Sequence, residues 1–190
     1  MDFFGQSLDF AVNLTTTIAA TFVLSIKGNT VVKKFNAKEY TTAPLQISKS
    51  RLIDAKAEDL WKIISDHEHM TTWMPMIKHV SLVEADQSGK WEEGCDRHCQ
   101  FGPDLLKEKI VYWNAPIGYA YAISDMHLVR DHVAYIQLEE QQGKTRVTWS
   151  QYFIPNGNVI KNFMAKNIMM PTVMSKALKN LETKIKTSHV

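Results

Sequence analysis

Hydrophobic and polar positions follow two different periods along this chain. The run Leu45-Gln46-Ile47-Ser48-Lys49-Ser50-Arg51-Leu52-Ile53 has the partial alternation of a strand. Asp54 follows as a candidate N-cap, and Leu60, Trp61, Ile63 and Ile64 form an apolar stripe at helical spacing, which predicts a helix over 56–65. Asp66-His67-Glu68-His69-Met70 reads as a second short helix or turn, a solvated connection. It ends before Trp73-Met74-Pro75, because a proline disfavours helical φ/ψ at the residue before it. Strand-like runs then come in series over 77–85, 91–100, 105–113, 118–124, 127–138 and 144–154. Turn residues separate them: Asp86-Gln87-Ser88-Gly89, Phe101-Gly102-Pro103, Asn114-Ala115-Pro116 and Gln141-Gln142-Gly143. After Pro155-Asn156-Gly157 the period lengthens. Val159, Ile160, Phe163, Met164, Ile168, Val173, Met174, Ala177, Leu178, Leu181 and Ile185 recur at three and four residues, which predicts one long C-terminal helix kinked at Pro171.

Short turns between closely spaced strands argue for an antiparallel meander. A sheet that is apolar on one face must cover that face, and the long amphipathic helix is the available cover. The expected class is α+β: a curved antiparallel sheet of about seven strands wrapped around the C-terminal helix, with two short helices after the first strand. Such a sheet encloses an interior that its side chains need not fill.

Residues 1–44 stand outside this scheme and form an N-terminal extension to the domain over 45–190. Leu8 to Ile26 is mostly apolar but is interrupted by Asp9, Asn13 and Thr15-Thr16-Thr17. Its length is near the ~20 residues that span a bilayer, and Lys27, Lys33 and Lys34 follow it. Three readings stay open: a membrane-associated segment over 8–26, a loosely ordered helix, or a β-hairpin with strands over 21–27 and 30–35 about Gly28-Asn29.

Composition narrows the function classes. The 190 residues carry 45% hydrophobic and 22% charged side chains, as a globular domain does. The formal charge is only +2, and the longest basic cluster is Lys33-Lys34, so a nucleic-acid partner is not expected. Cys95 and Cys99 form neither a disulfide scaffold nor a zinc-type pair, and no metal or other cofactor is expected. Phosphate-loop, dinucleotide, zinc-protease and nucleophile-elbow motifs are missing from the sequence.

Candidate chemistry concentrates at the hairpin around Gly102-Pro103. A turn centred there sets Arg97 opposite Glu108, Cys95 opposite Ile110, Cys99 opposite Leu106 and Glu93 opposite Tyr112. By alternation, Cys95, Arg97, Cys99, Leu106, Glu108, Ile110 and Tyr112 share an otherwise apolar face. Arg97 could bind a carbonyl or carboxylate there, and Glu108 could move a proton, so both are candidate catalytic residues. A plain cross-strand ion pair is the competing reading. Tyr119 and Tyr121 share one strand face; Val147, Trp149, Gln151 and Phe153 share another. With Trp73, Phe163, Met164 and Met174 they offer an aromatic and thioether lining for a hydrophobic ligand. His132 and Asp131 point to opposite faces of their strand, with no nucleophile beside them.

The run from Ile53 to Asp66, continued by Trp73-Met74-Pro75-Met76-Ile77-Lys78-His79-Val80, resembles the opening of the START-like (Bet v 1-like, SRPBCC) superfamily, and within it the polyketide cyclase/dehydrase and lipid-transport group. Gly94-Cys95-Asp96-Arg97 with Glu108-Lys109-Ile110, then Thr145-Arg146-Val147-Thr148-Trp149, then the long closing helix are similar to later pieces of that group. The resemblance covers residues 45–185 and implies a helix-grip fold with a cavity for apolar or amphipathic molecules. The expected function is binding or transfer of a lipid, quinone or polyketide-like aromatic in a cavity of several hundred Å3, on the order of other small-molecule sites. Two alternatives compete: a cyclase or dehydratase using Arg97 and Glu108, with Tyr119 or Tyr121 as a further proton carrier, or a partner-binding module of the same fold. The expected location is the cytoplasm, with membrane association if residues 8–26 insert.

Overall fold

The computed structural model describes residues 33–124 and 126–188. The membrane-segment and hairpin readings of residues 8–35 fall almost entirely outside the described residues. Among the described residues no helix is long and apolar enough to cross a membrane.

Strand β1, Leu45–Ile53, leads into helix α1, Ala57–Ile64, and a 3-10 turn, Met70–Thr72. The meander follows: β2 Ile77–Glu84, β3 Asp96–Phe101, β4 Asp104–Asn114, β5 Gly118–Ile123, β6 Val129–Gln141 and β7 Lys144–Pro155. Together they make one seven-stranded curved sheet in the order β1-β7-β6-β5-β4-β3-β2, each ladder antiparallel. Helix α2, Val159–Met164, a π turn over Ala165–Met169 and helix α3, Met170–Ser188, close the chain as one long grip helix. The helix deforms one turn earlier than the kink expected at Pro171. Proline cannot donate to the carbonyl four residues back and its ring crowds that carbonyl, so the wider turn falls just N-terminal to it.

Local chemistry sets these boundaries. Asp54 does not cap α1; Lys56 takes that place without a side-chain bond, and the Ala57 amide donates to Glu140 Oε1 on β6 at 3.0 Å. The predicted strand over 91–100 begins only at Asp96, because residues 86–95 fold into turns held by Asp86 Oδ1, which accepts from the Ser88 and Lys90 amides. Gly102, at φ +57°, turns the β3–β4 hairpin. Gly118 is needed for a close approach, since a Cβ there would run into the Ile136 carbonyl.

The concave face of the sheet packs Cys99, Leu106, Ile110, Ile136, Val147 and Phe153 against Met174, Ala177, Leu178 and Leu181 of α3 and Leu60 and Ile64 of α1. An ion pair from Arg51 of β1 to Glu182 of α3 pins the helix to one edge, and Asn180 Nδ2 donates to the Trp73 carbonyl at 3.1 Å. The convex face carries a smaller cluster of Tyr112, Ala120, Val133 and Tyr135. Residues 33–44 cover it: Phe35 stacks on Tyr135 at 4.1 Å, and Thr42 donates through its amide and Oγ1 to Asp131 Oδ2.

Tyr112 corrects one expectation. Strict alternation puts it on the concave face with Ile110, but the β4–β5 ladder shifts register between Ile110 and Tyr112. That bulge flips the strand. Tyr112 then packs outward against Phe35 and Tyr135, and Trp113 turns inward against Trp61 and Tyr119. The expected Glu93–Tyr112 pairing is also lost; Glu93 Oε2 accepts from the Trp113 amide at 3.3 Å and Oε1 pairs with Lys33 at 3.5 Å.

Candidate functional site

The hairpin arithmetic about Gly102-Pro103 holds: Arg97 lies opposite Glu108 and Cys99 opposite Leu106. Both charges face the concave side and are almost fully buried, with 1% and 6% of their side-chain surface exposed. Glu108 Oε2 accepts from Arg97 Nε at 2.8 Å and from Nη2 at 2.7 Å. The guanidinium sits 5.6 Å from the Tyr119 ring centre and 5.2 Å from that of Tyr121. Burial, the largest single influence, disfavours its charge, but Glu108 together with Tyr119, Cys99 and Tyr121 raises the Arg97 pKa on balance.

A third member comes from outside the hairpin. His67, expected on a solvated connection, is only 3% exposed. Its Nδ1 lies 2.5 Å from Arg97 Nη1, and its Nε2 lies 3.0 Å from the Trp91 carbonyl. Arginine can only donate, so Nδ1 is the acceptor, and Nε2 carries the proton it donates to Trp91. Burial first, and the Arg97 charge second, push the His67 pKa down to about 3, so the imidazole is neutral. The neighbours Glu68 and His69 are exposed, and His69 pairs with Asp66 at 2.9 Å.

These groups form part of the wall of a cavity between sheet and helix. Met70, Met74 and Ile77 line it from one side, and Met170 and Val173 from the grip helix. Phe101 and Leu106 of the β3–β4 hairpin, with Ile123 of β5 and Met126, line it further. Arg97, Glu108, Tyr121, Trp149, His132 and Gln151 contribute the polar and aromatic surface. His132 Nε2 meets Gln151 Oε1 at 2.5 Å, and burial lowers the His132 pKa to about 4. His132 Nδ1 and Trp149 Nε1 are buried without a hydrogen-bond partner.

The remaining space is about 40 Å3. That is room for a few waters and far below the several hundred Å3 expected. The physical reason is the lining itself. Met70, Met74, Met126 and Met170 are unbranched and flexible, and such side chains collapse into irregular gaps.

Of the residues expected to line the site, Arg97, Glu108, Tyr121 and Trp149 do so. Trp73, Tyr119 and Met174 are buried in the surrounding core, not on the cavity wall. Tyr112 is on the opposite face of the sheet, as described above. Phe163 and Met164 are 59% and 48% exposed, because the grip helix meets the sheet only after the π turn. Cys95 and Cys99, expected as small wall residues, are fully buried in the core and do not line the cavity, and burial pushes their thiols up to about 11 and about 12.

His67 and His132 were the polar site residues missed. His67 extends the α1 stripe of Leu60 and Ile64 by one further helical step. His132 shares its strand parity with the inward-facing Ile136 and Leu138.

Solved structures agree with this architecture. The protein XoxI from Bacillus cereus aligns with a TM-score of 0.62 at 22% identity, over 76% of this chain and 97% of its own. A START superfamily protein from Mycobacterium smegmatis gives a TM-score of 0.62 at 14% identity, over 76% and 99%. Ara h 8.0201 gives 0.57 at 14% identity, over 74% and 97%. At these identities the likeness is one of fold. A search of curated proteins gave no sequence match. Residues 44–186 match the family described as polyketide cyclase / dehydrase and lipid transport. The chain belongs to that family, and its helix-grip fold is the one it shares with the START superfamily protein and Ara h 8.0201.

Proposed function

We propose that this domain binds a hydrophobic small molecule that carries a neutral hydrogen-bonding group, such as the carbonyl of a lipid ester, a quinone or a polyketide-like aromatic. One observation carries the reading. An apolar, methionine-rich cavity contains a buried Trp149 N–H and a buried His132 Nδ1 with no partner. Unpaired buried polar groups cost roughly 1–3 kcal/mol each. A ligand carbonyl would recover this at the Trp149 N–H, whereas His132 Nδ1 is an acceptor, because Nε2 donates to Gln151 Oε1, and would need a ligand hydroxyl.

The ligand is neutral by exclusion of the charged alternatives. Three N–H groups of Arg97 are committed to Glu108 and His67. The cation is already balanced by one carboxylate, so a ligand carboxylate would enter a site with no net charge to meet it. The internal bonding of the pair also favours binding over proton transfer by Glu108. Room for the ligand comes from rotamer changes of Met70, Met74, Met126 and Met170, side chains that repack at small energetic cost.

The test is titration of the purified full chain with a fluorescent fatty acyl ester, alongside mass spectrometry of solvent extracts from the native protein. Saturable one-to-one binding is expected, together with its loss in Val173→Trp, which plugs the cavity from the grip helix. Circular dichroism checks that the variant is folded. Equal binding by wild type and Val173→Trp, or no binding by either together with an empty extract, would refute the reading.

A further inference from the structure

We propose that the first turns of the grip helix dock on an anionic lipid surface, beside the cavity. The helix begins with large apolar side chains that stay exposed. Val159 is 85% exposed, Ile160 75%, Phe163 59%, Met164 48% and Ile168 47%. At about 100° per residue the first four fall within an arc of roughly 140°. The π turn over Ala165–Met169 adds extra residues to its turn, which brings Ile168 back toward the same side. Ala165, on the other side of the helix, is buried against the protein. The apolar arc therefore points outward.

Charge selects the occupant. No aspartate or glutamate occurs anywhere from Gln141 to Leu181. Lys161, Lys176 and Lys179 are exposed along the same helix, and Lys166 is half-exposed. An outward apolar arc of Val, Ile, Phe and Met flanked by lysines, with no acid on its own stretch of chain, has the chemistry of a helix lying in the headgroup layer of an anionic membrane. The position suits the surface too. Met170, the residue after the π turn, already lines the cavity, so the docked face runs directly into the cavity wall.

The proposal goes beyond ligand binding and stands or falls separately from it. The experiment is co-sedimentation of the full chain with vesicles of phosphatidylcholine alone or with about 30 mol % phosphatidylglycerol, at low and high salt. Anionic vesicles are expected to bind the protein, with weakening at high salt. Ile160→Glu with Phe163→Glu is expected to lower the partition coefficient by about ten-fold or more, because both carboxylates enter the docking face. Both positions are exposed, so the fold is retained. Residues 8–26 could hold part of the binding, so a second readout is local. An Ile160→Cys variant labelled with an environment-sensitive fluorophore is expected to shift to the blue on anionic vesicles. The native cysteines are buried and escape the label. An unchanged partition in the double variant with no blue shift would overturn the proposal. So would sedimentation equilibrium showing a dimer that Ile160→Glu dissolves, which would assign the face to a second copy of the chain.

Discussion

Removing one member of the buried ion pair should damage the fold far more than removing both. Arg97 retains 1% of its side-chain exposure and Glu108 6%, so neither charge can turn to water when its partner is lost. Glu108→Gln keeps the shape and an amide oxygen that can still accept from Arg97, but it removes the only carboxylate paired with the buried guanidinium. Breaking a buried pair in this way costs about 3–5 kcal/mol, and Arg97→Met should cost about the same for the opposite reason. Independent losses would then sum to about 6–10 kcal/mol, comparable with the whole stability of an ordinary domain. The double variant Arg97→Met/Glu108→Leu removes both charges and refills the volume with apolar atoms. Its residual cost comes mainly from His67 Nδ1, which loses its donor, and is about 1–3 kcal/mol. Urea titration followed by tryptophan fluorescence reads these differences directly. At a slope of ~2 kcal/mol/M, each single variant lowers the midpoint by about 1.5–2.5 M, and the double by about 0.5–1.5 M. A double variant as unstable as the summed singles would refute the reasoning. The pair would then be two separate contributors and not a charge-balanced unit.

Stability should also fall in acid well before the carboxylates titrate. The His67 and His132 pKa values are lowered from 6.5 to about 3 and about 4. The unfolded chain therefore takes up protons below pH 6.5 that the folded chain does not. The stabilisation is fully present above pH 6.5 and is lost as pH falls toward 4 and then 3. The loss is about 1.4 kcal/mol per pH unit for each imidazole, hence about 4 kcal/mol for the two at pH 5. Urea midpoints measured from pH 7.5 to 5 check this, and His132→Asn should halve the slope; a flat profile would contradict the buried neutral histidines. Cys95 and Cys99, with thiols raised to about 11 and about 12 by burial, should resist iodoacetamide at pH 8 in the native protein. Mass spectrometry should show both alkylated once urea unfolds the chain, and rapid native alkylation would show that the core around them opens.

The local periods of the sequence determined most of the architecture. The alternation of β3 and β4 and the turn at Gly102-Pro103 were enough to place Arg97 opposite Glu108 on the inner face, because a hairpin's register follows from its turn. The three- and four-residue spacing from Val173 to Ile185 likewise marked the buried stripe of the grip helix. Tertiary structure decided what depends on distant neighbours. The bulge after Ile110 is a property of the β4–β5 ladder and of the aromatic cluster beneath Phe35, so strand parity alone sent Tyr112 to the wrong face. His67 looked solvated among charged neighbours, and only the arrival of Arg97 and the Trp91 carbonyl gave both of its nitrogens partners. Phe163 and Met164 continued the helical period, but that period does not record where a helix leaves its sheet. The cavity was the least legible feature. Its volume is a small difference between the space the backbone encloses and the space the side chains fill, and flexible methionines set that difference.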